Sequence, residues 1–226
     1  QYAGSDARYA AAARRTAEAY GDARLYLRLP TAPAEPSGMP VENIPWIGRS
    51  PSRTKAEVRQ ALQLPDSRPM VLLSFGGHPG IPVGELADSP WAQRVHLVGG
   101  RQLAATDRGI LAVDEDGLAA SGVEYIDLVA AADVVVSKPG YGMLTDCLFA
   151  RSRLVYLARP DFPEASLLLE PTMQRLLGAV PIAPEQRSAE GVANAVDDAL
   201  SRPKPHHAER MDGVAVAVKR LRQLLE

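Results

Sequence analysis

A single cysteine, Cys147, stands among 226 residues. That excludes an intrachain disulfide and any cysteine-rich metal cluster, and it accords with a reducing cytoplasm. Aromatic residues make up only 5% of the chain, too few for the stacking platforms that single-stranded nucleic acid requires. An excess of one charge is also missing, with 25 Lys and Arg against 27 Asp and Glu and a net charge of −2. Such a balance attracts neither a phosphate backbone nor an anionic membrane. No apolar run approaches the ~20 residues that a bilayer-spanning helix needs, and no signal-peptide pattern opens the sequence. The expectation is a cytoplasmic protein with no membrane span and no nucleic-acid partner.

What is present is globular composition, 46% hydrophobic and 23% charged, enough for one large domain or two small ones. Ser5 to Tyr20 is alanine-rich and reads as a helix, with Ser5 as cap and Gly21 as stop. Ala23 to Leu29 alternates like a strand. Pro30, Pro33, Pro36, Pro40 and Pro45 then crowd one stretch, which predicts an irregular linker over 33–48. Residues 1–32 are too few to be a domain of their own.

From residue 49 onward, short apolar runs alternate with helical patterns. Strands are predicted at 70–75, 95–98, 110–113, 123–126, 134–137 and 154–157. Helices are predicted over 52–62, 127–132, 143–151, 165–177, 189–200 and 208–225. Strands that are apolar throughout, alternating with helices, predict an α/β domain over 49–226, a parallel sheet covered on both faces. Ligands of such sheets bind beyond the carboxyl ends of the strands. Three glycine-bearing loops stand there: Gly76-Gly77-His78-Pro79-Gly80, Gly99-Gly100-Arg101, and Lys138-Pro139-Gly140-Tyr141-Gly142.

The third loop carries most information. Val134-Val135-Val136-Ser137 runs into it and a helical pattern follows. The first N–H groups of a helix have no internal partner and carry the positive end of its dipole. Glycines without Cβ atoms at 140 and 142 would let a phosphate approach that backbone closely. Thr145 and Asp146 fall one turn in, where Asp146 suits a ribose diol beside the phosphate. The competing reading is a plain strand-to-helix turn stiffened by Pro139. Gly76, Gly77 and His78 lack the spacing of a P-loop or a dinucleotide fingerprint; His78 is a candidate donor to a diphosphate.

Other residues read blandly. Cys147 sits among apolar neighbours as a core residue. His206 and His207 are expected to cap a helix or face solvent. Asp114-Glu115-Asp116-Gly117 has the look of a hairpin turn, and Asp197 with Asp198 the look of an exposed helix face. Val214, Val218, Leu221, Leu224 and Leu225 form an apolar stripe that either faces the core or favours self-association.

Several segments resemble the C-terminal half of a GT-B glycosyltransferase, of the family 28 C-terminal type. They are Ala17-Glu18-Ala19-Tyr20 with Leu27-Arg28-Leu29-Pro30, Glu57-Val58-Arg59 with Leu62, Phe75-Gly76-Gly77, Ala131-Ala132-Asp133 and Gly140-Tyr141-Gly142. A closer likeness is to the glycosyltransferase-like region that precedes the kinase domain of L-arabinokinases. After the strand ending at Leu157 the family tends to show an Arg-Arg-Asp-x-Phe-x-Glu-Glu run. Here Arg159, Phe162 and Glu164 fall in register, while the aspartate comes one place late, at Asp161.

The resemblance implies a Rossmann-like domain over 49–226 that holds a nucleotide-diphosphate sugar such as a UDP-sugar, with no metal and no other cofactor. It implies that the backbone of Tyr125 and Ile126 meets the base and that Gly140, Tyr141 and Gly142 face the diphosphate. Asp146 stands where the family usually carries a ribose-binding glutamate. Arg159, Asp161 and Glu164 stand where the family contacts the donor sugar. The paired glutamines of the N-acetylglucosamine-transferring branch are absent, so that sugar is not implied. Residues 1–32 then read as the tail of a missing or truncated N-terminal Rossmann-like domain. The chain is expected to bind a donor for a hexosyltransferase-like, metal-independent reaction and to transfer nothing alone. The alternative is a non-catalytic nucleotide-sugar-binding regulatory module. A nucleotide-sugar epimerase ranks last, with only Asp161, Glu164 and Glu170 as available acids.

Overall fold

The computed structural model describes residues 7–21, 23–32, 39–64, 67–75, 80–99, 110–113 and 115–225. The chain divides into two compact units, Gln1–Ile47 with Arg210–Glu226, and Gly48–Glu209.

In the first unit, helix α1 (Ala7–Ala19) precedes strand β1 (Tyr26–Arg28), which pairs in parallel with β2 (Val41–Asn43). The sequence predicts β1 but expects the proline stretch to be irregular throughout. Pro40 and Pro45 flank β2 rather than interrupt it, and Pro40 contributes only its carbonyl, accepting from Tyr26 N–H at 2.8 Å.

The second unit opens with α2 (Lys55–Ala61) and continues with β3 (Met70–Ser74), α3 (Val83–Asp88) and β4 (His96–Gly99). Next come β5 (Ile110–Ala112), α4 (Glu115–Ser121), α5 (Tyr125–Ala131), β6 (Val134–Ser137), α6 (Tyr141–Ala150) and β7 (Arg153–Leu157). A π-helical turn at Ala165–Leu169 leads into α7 (Glu170–Leu177), and β8 (Val180–Ile182) and α8 (Ala189–Ser201) complete the unit. Helix α9 (Gly213–Leu225) belongs to the first unit.

Six of these strands form a parallel sheet in the order β5-β4-β3-β6-β7-β8. Alternate residues serve opposite faces. Val71, Leu73, Val134, Val136, Val155 and Leu157 pack into one cluster with Leu86 of α3 and Val192 and Val196 of α8. Leu72, Val135 and Tyr156 point the other way and are equally buried, on the side of α5 and α7. Burial of each β6 valine stabilises by about 1.5–3 kcal/mol relative to exposure. The α/β class read from the apolar strands is the class observed.

The strand order matters for function. From β3 the chain moves outward through β4 to β5, then returns to β6 on the other side of β3. The order reverses between β3 and β6, and this is where open α/β sheets form a crevice at their carboxyl edge.

Three predicted elements differ. Val123–Ile126 is not a strand: Asp127 accepts Glu124 N–H at 3.1 Å and starts α5 at Tyr125. Glu115 to Ser121 is helical rather than a hairpin turn. The last helix begins at Gly213, not near 208, and residues 210–226 group with the first unit rather than the sheet. The reason is local. Trp46 N–H donates to Arg210 C=O and Gly213 N–H to Trp46 C=O, each at 3.1 Å, and a Cβ at Gly213 would sit 2.2 Å from Pro45 C=O.

Candidate functional site

At the reversal of strand order, β3 ends at Ser74 and β6 at Ser137, which are register partners. Ser137 Oγ donates to Ser74 C=O at 2.6 Å, tying the two strand ends together. Ser74 Oγ also shares a hydrogen bond with the Tyr125 hydroxyl, so the first residue of α5 reaches across to the end of β3. Burial pushes the Tyr125 phenol up, against the lowering pull of the Ser74 bond.

Lys138, half-buried, and Pro139, buried, carry the chain from β6 into α6. Gly140 is the N-cap with φ −156°, no side chain caps the helix, and its first internal bond runs from Leu144 N–H to Gly140 C=O at 2.9 Å. The N–H groups of Gly142 and Met143 precede that first internal bond in a helix of 10 residues. Neither Gly140 nor Gly142 has a positive φ, and among the described residues a Cβ at either would meet nothing within 4 Å. The turn does not require glycine for its backbone conformation or for protein packing. Among the described residues, what the two glycines leave is open space in front of the helix end. Tyr141 is half-buried, and burial pushes its phenol up to about 12.

One turn in, Thr145 is 4% exposed and donates through Oγ1 to Gly142 C=O at 2.9 Å. Asp146 is 8% exposed. Burial holds its carboxyl above the ordinary carboxylate range, and the Arg49 guanidinium only partly offsets this. Arg49 Nη2 lies 3.6 Å from Asp146 Oδ2. Cys147 is fully buried, its thiol pushed up by that burial, and it touches Met143 Sδ at 3.7 Å.

The loop after β7 stands one strand over on the same sheet edge. Arg159, Asp161, Phe162 and Glu164 are exposed there. Arg159 N–H donates to Glu170 Oε1 at 2.8 Å, and its guanidinium stacks 4.5 Å over the Phe162 ring. The following helix opens with a π turn in which Glu170 N–H reaches back to Ala165 C=O. Pro171, next in line, has no N–H to give, and such turns recur at functional sites.

The structure thus gathers Tyr125, Lys138, Gly140, Tyr141, Gly142, Thr145 and Asp146 around one strand end, with Arg159, Asp161 and Glu164 on the neighbouring one. Ile126 is fully buried, its side chain in the core. Gly76, Gly77 and His78 lie outside the described residues, as does most of the loop at Gly99-Gly100-Arg101. Sequence reasoning missed Arg49. No local signal marks it, because its partner Asp146 is far along the chain.

Two residues read as bland make specific bonds. Asp197 accepts from Trp91 Nε1 at 2.9 Å and Arg94 Nη2 at 2.6 Å, tying α8 to the turn at Pro90–Arg94. His207 Nε2 is bonded to Leu148 C=O at 3.0 Å, near the end of α6. Among the described residues no helix is long and apolar enough to cross a membrane, and no group of His, Cys, Asp and Glu could hold a metal ion.

No protein-family model matches the chain. Its curated relatives include an uncharacterised glycosyltransferase of Methanopyrus kandleri, 26% identical over 186 residues, which covers 74% of this chain and 50% of the relative. An L-arabinokinase of Arabidopsis thaliana is 24% identical over 152 residues, covering 67% of this chain and 14% of that protein. The chain resembles the C-terminal half of a GT-B glycosyltransferase. It spans half the length of the Methanopyrus relative. Solved structures that align with it include the glycosyltransferase SnogD from Streptomyces nogalater, with a TM-score of 0.47, 14% identity and coverage of 87% of this chain and 56% of that one. The glycosyltransferase VinC in complex with DTDP aligns with a TM-score of 0.48, 14% identity and coverage of 75% and 42%.

Proposed function

We propose that this chain supplies the donor-binding side of a cytoplasmic GT-B-type glycosyltransferase, holding the nucleoside diphosphate of an activated sugar. The observation that carries the reading is the pair Gly140 and Gly142. Neither is demanded by backbone conformation or, among the described residues, by packing, and both stand at a helix end without a side-chain cap, beside the reversal of strand order. Backbone N–H groups there would bind the diphosphate. Asp146 would accept the ribose hydroxyls, with the loop of Arg159, Asp161 and Glu164 toward the sugar.

In transfer, the bond between the anomeric carbon and the diphosphate oxygen breaks and its electron pair stays on that oxygen. A preorganised helix end stabilises the charge that develops there without reorganisation. The acceptor and the base that activates it belong to a second wall of the cleft. The 226-residue chain alone is therefore expected to bind donor and to transfer nothing.

Titration of the chain with UDP, GDP and dTDP, against the Gly142→Ala variant, tests the reading. Ala at this position gains helix propensity, so its Tm should be equal or higher while diphosphate affinity falls about tenfold or more, the scale of a lost charge-assisted bond. Unchanged affinity in Gly142→Ala, or no binding of any of the three by the parent chain, would overturn it. Sugar transfer or donor hydrolysis by the chain alone, followed with isotope-labelled donors, would refute the claim of inactivity.

A further inference from the structure

The run Ala158-Arg159-Pro160-Asp161-Phe162-Pro163-Glu164 leaves the sheet with two prolines, which stiffen it and donate no N–H. Within it Phe162 N–H donates to Arg159 C=O at 3.0 Å, and the Arg159 guanidinium lies over the Phe162 ring. The side chains at 161, 162 and 164 are exposed, so core packing does not orient this turn. Its root does. Ala158 N–H extends the pairing of β7 with β8, donating to Ile182 C=O at 2.9 Å. Past that bond, two charged side chains from other elements grip consecutive backbone groups. Arg187 Nη2 donates to Ala158 C=O at 2.6 Å, and Glu170 Oε1 accepts Arg159 N–H at 2.8 Å. Bonds with a charged partner are roughly twice as strong as neutral ones. Arg187 is itself held. It follows the turn Pro184–Gln186, where Gln186 N–H donates to Ala183 C=O at 2.9 Å and Ala183 N–H to Gln186 Oε1 at 3.2 Å. It precedes Ser188, which caps α8 by accepting Gly191 N–H at 3.0 Å. A Cβ at Gly191 would collide with Gln186 C=O, so turn and helix are pressed together at the main chain. Arg187 Nε is buried, and among the described residues nothing accepts from it. A buried donor without a partner is costly, so folding alone does not account for an arginine here.

Resting on the donor-site reading above, we propose that Arg187 and Glu170 are positioning residues for the donor sugar, acting through the backbone at the root of this loop. Fixing Ala158 C=O and Arg159 N–H sets where Arg159, Asp161 and Glu164 stand, and so which sugar hydroxyls those side chains meet. Hydrogen bonds weaken steeply once donor and acceptor are misaligned. A loop that swings at its root therefore loses its match to one sugar over another. The nucleoside diphosphate would be held from Gly140, Gly142 and Asp146, at the end of the neighbouring strand, and does not depend on this clamp. The clamp governs preference among sugars and leaves affinity for the bare nucleoside diphosphate alone.

The test titrates the full chain and its Arg187→Met, Arg187→Lys, Glu170→Gln and Val196→Ala variants with UDP, UDP-glucose and UDP-galactose, with Tm recorded for each. Met keeps the apolar stem of Arg187 and removes its donors. The parent is expected to bind at least one of the two UDP-sugars tighter than UDP. Arg187→Met should hold UDP affinity within about twofold and lower the affinity for that UDP-sugar relative to UDP by about tenfold or more, the scale of one lost bond to a charged group. Arg187→Lys keeps the charge and a donor and should recover part of the loss. Glu170→Gln keeps an acceptor and should show a smaller loss of the same kind. Val196→Ala opens a cavity in the core cluster and should lower Tm without moving the ratio. A ratio of UDP-sugar to UDP affinity that is the same in Arg187→Met as in the parent overturns the proposal. So does a ratio that moves as much in Val196→Ala, equal weakening of UDP and UDP-sugar in Arg187→Met, or a parent that binds both UDP-sugars no tighter than UDP. Should Arg187→Met fail to fold, Arg187→Lys and Glu170→Gln decide, and the parental ratio in both overturns it. In each of these cases a parent that binds UDP keeps the donor site and only this inference falls. A parent chain that binds none of UDP, GDP and dTDP removes both.

Discussion

Asp146 is a residue on which stability and binding pull in opposite directions. Its carboxyl is buried, and its pKa in the folded chain is raised by that burial, with Arg49 offsetting only part. A raised folded value means the folded chain holds the proton more tightly than the unfolded one. Asp146 therefore contributes stability below the ordinary carboxylate pKa, and that contribution is lost as pH rises through the folded value. At neutral pH the ionised group works against the fold. Asp146→Asn should have a Tm at pH 7 equal to or above that of the parent, with the difference vanishing in acid, as read by calorimetry across pH. The same variant should lose about tenfold in affinity for UDP, since an amide accepts the ribose hydroxyls less well than a carboxylate. A residue kept for structure alone would show a lower Tm instead.

At the scale of elements, the carboxylate of Asp127 has the opposite sign. Burial would raise its pKa, but N–H groups of Arg53, Ser52 and Glu124 and the Ser52 hydroxyl together hold it below the usual carboxylate range. It fastens the segment before α2 to the start of α5. Its contribution is present above the ordinary carboxylate pKa and is lost as pH falls through its lower folded value. Asp127→Ala should cost about 3 kcal/mol at pH 7 through several lost charge-assisted bonds, and urea midpoints of variant and parent should converge in acid. How legible such elements are depends on their cause. Strand β6 was plain in Val134-Val135-Val136 because a doubly covered strand is apolar at every position. Helix α5 was misplaced because Val123-Glu124-Tyr125-Ile126 alternates like a strand, and the side chain that caps the helix lies three residues in. Gly140 and Gly142 were visible as glycines. Whether a turn or a ligand called for them needed φ angles and neighbours. Arg49 had no local pattern at all.

For the whole molecule, the sheet was legible and the division into units was not. The apolar stripe of α9 reads first as core-facing, yet Val214, Val218 and Leu221 are 48%, 42% and 52% exposed. What places α9 is backbone: Gly213 N–H on Trp46 C=O and Trp46 N–H on Arg210 C=O. Arg220 adds an ion pair to Glu42 at 2.7 Å, a partly exposed contact worth about 0.2–1 kcal/mol. The close approach at Gly213 is the decisive one, since a Cβ there would fall 2.2 Å from one backbone oxygen and 2.5 Å from the next. Those atoms are main chain and cannot rotate away. Gly213→Val should therefore detach the start of α9 from the chain at 45–46 while the sheet of the second unit keeps its own core. Hydrogen exchange read by mass spectrometry is expected to rise across 213–225 and 41–46 and to stay slow across 134–137 and 153–157. Loss of protection in β6 and β7 together with α9 would mean that the two units fold as one.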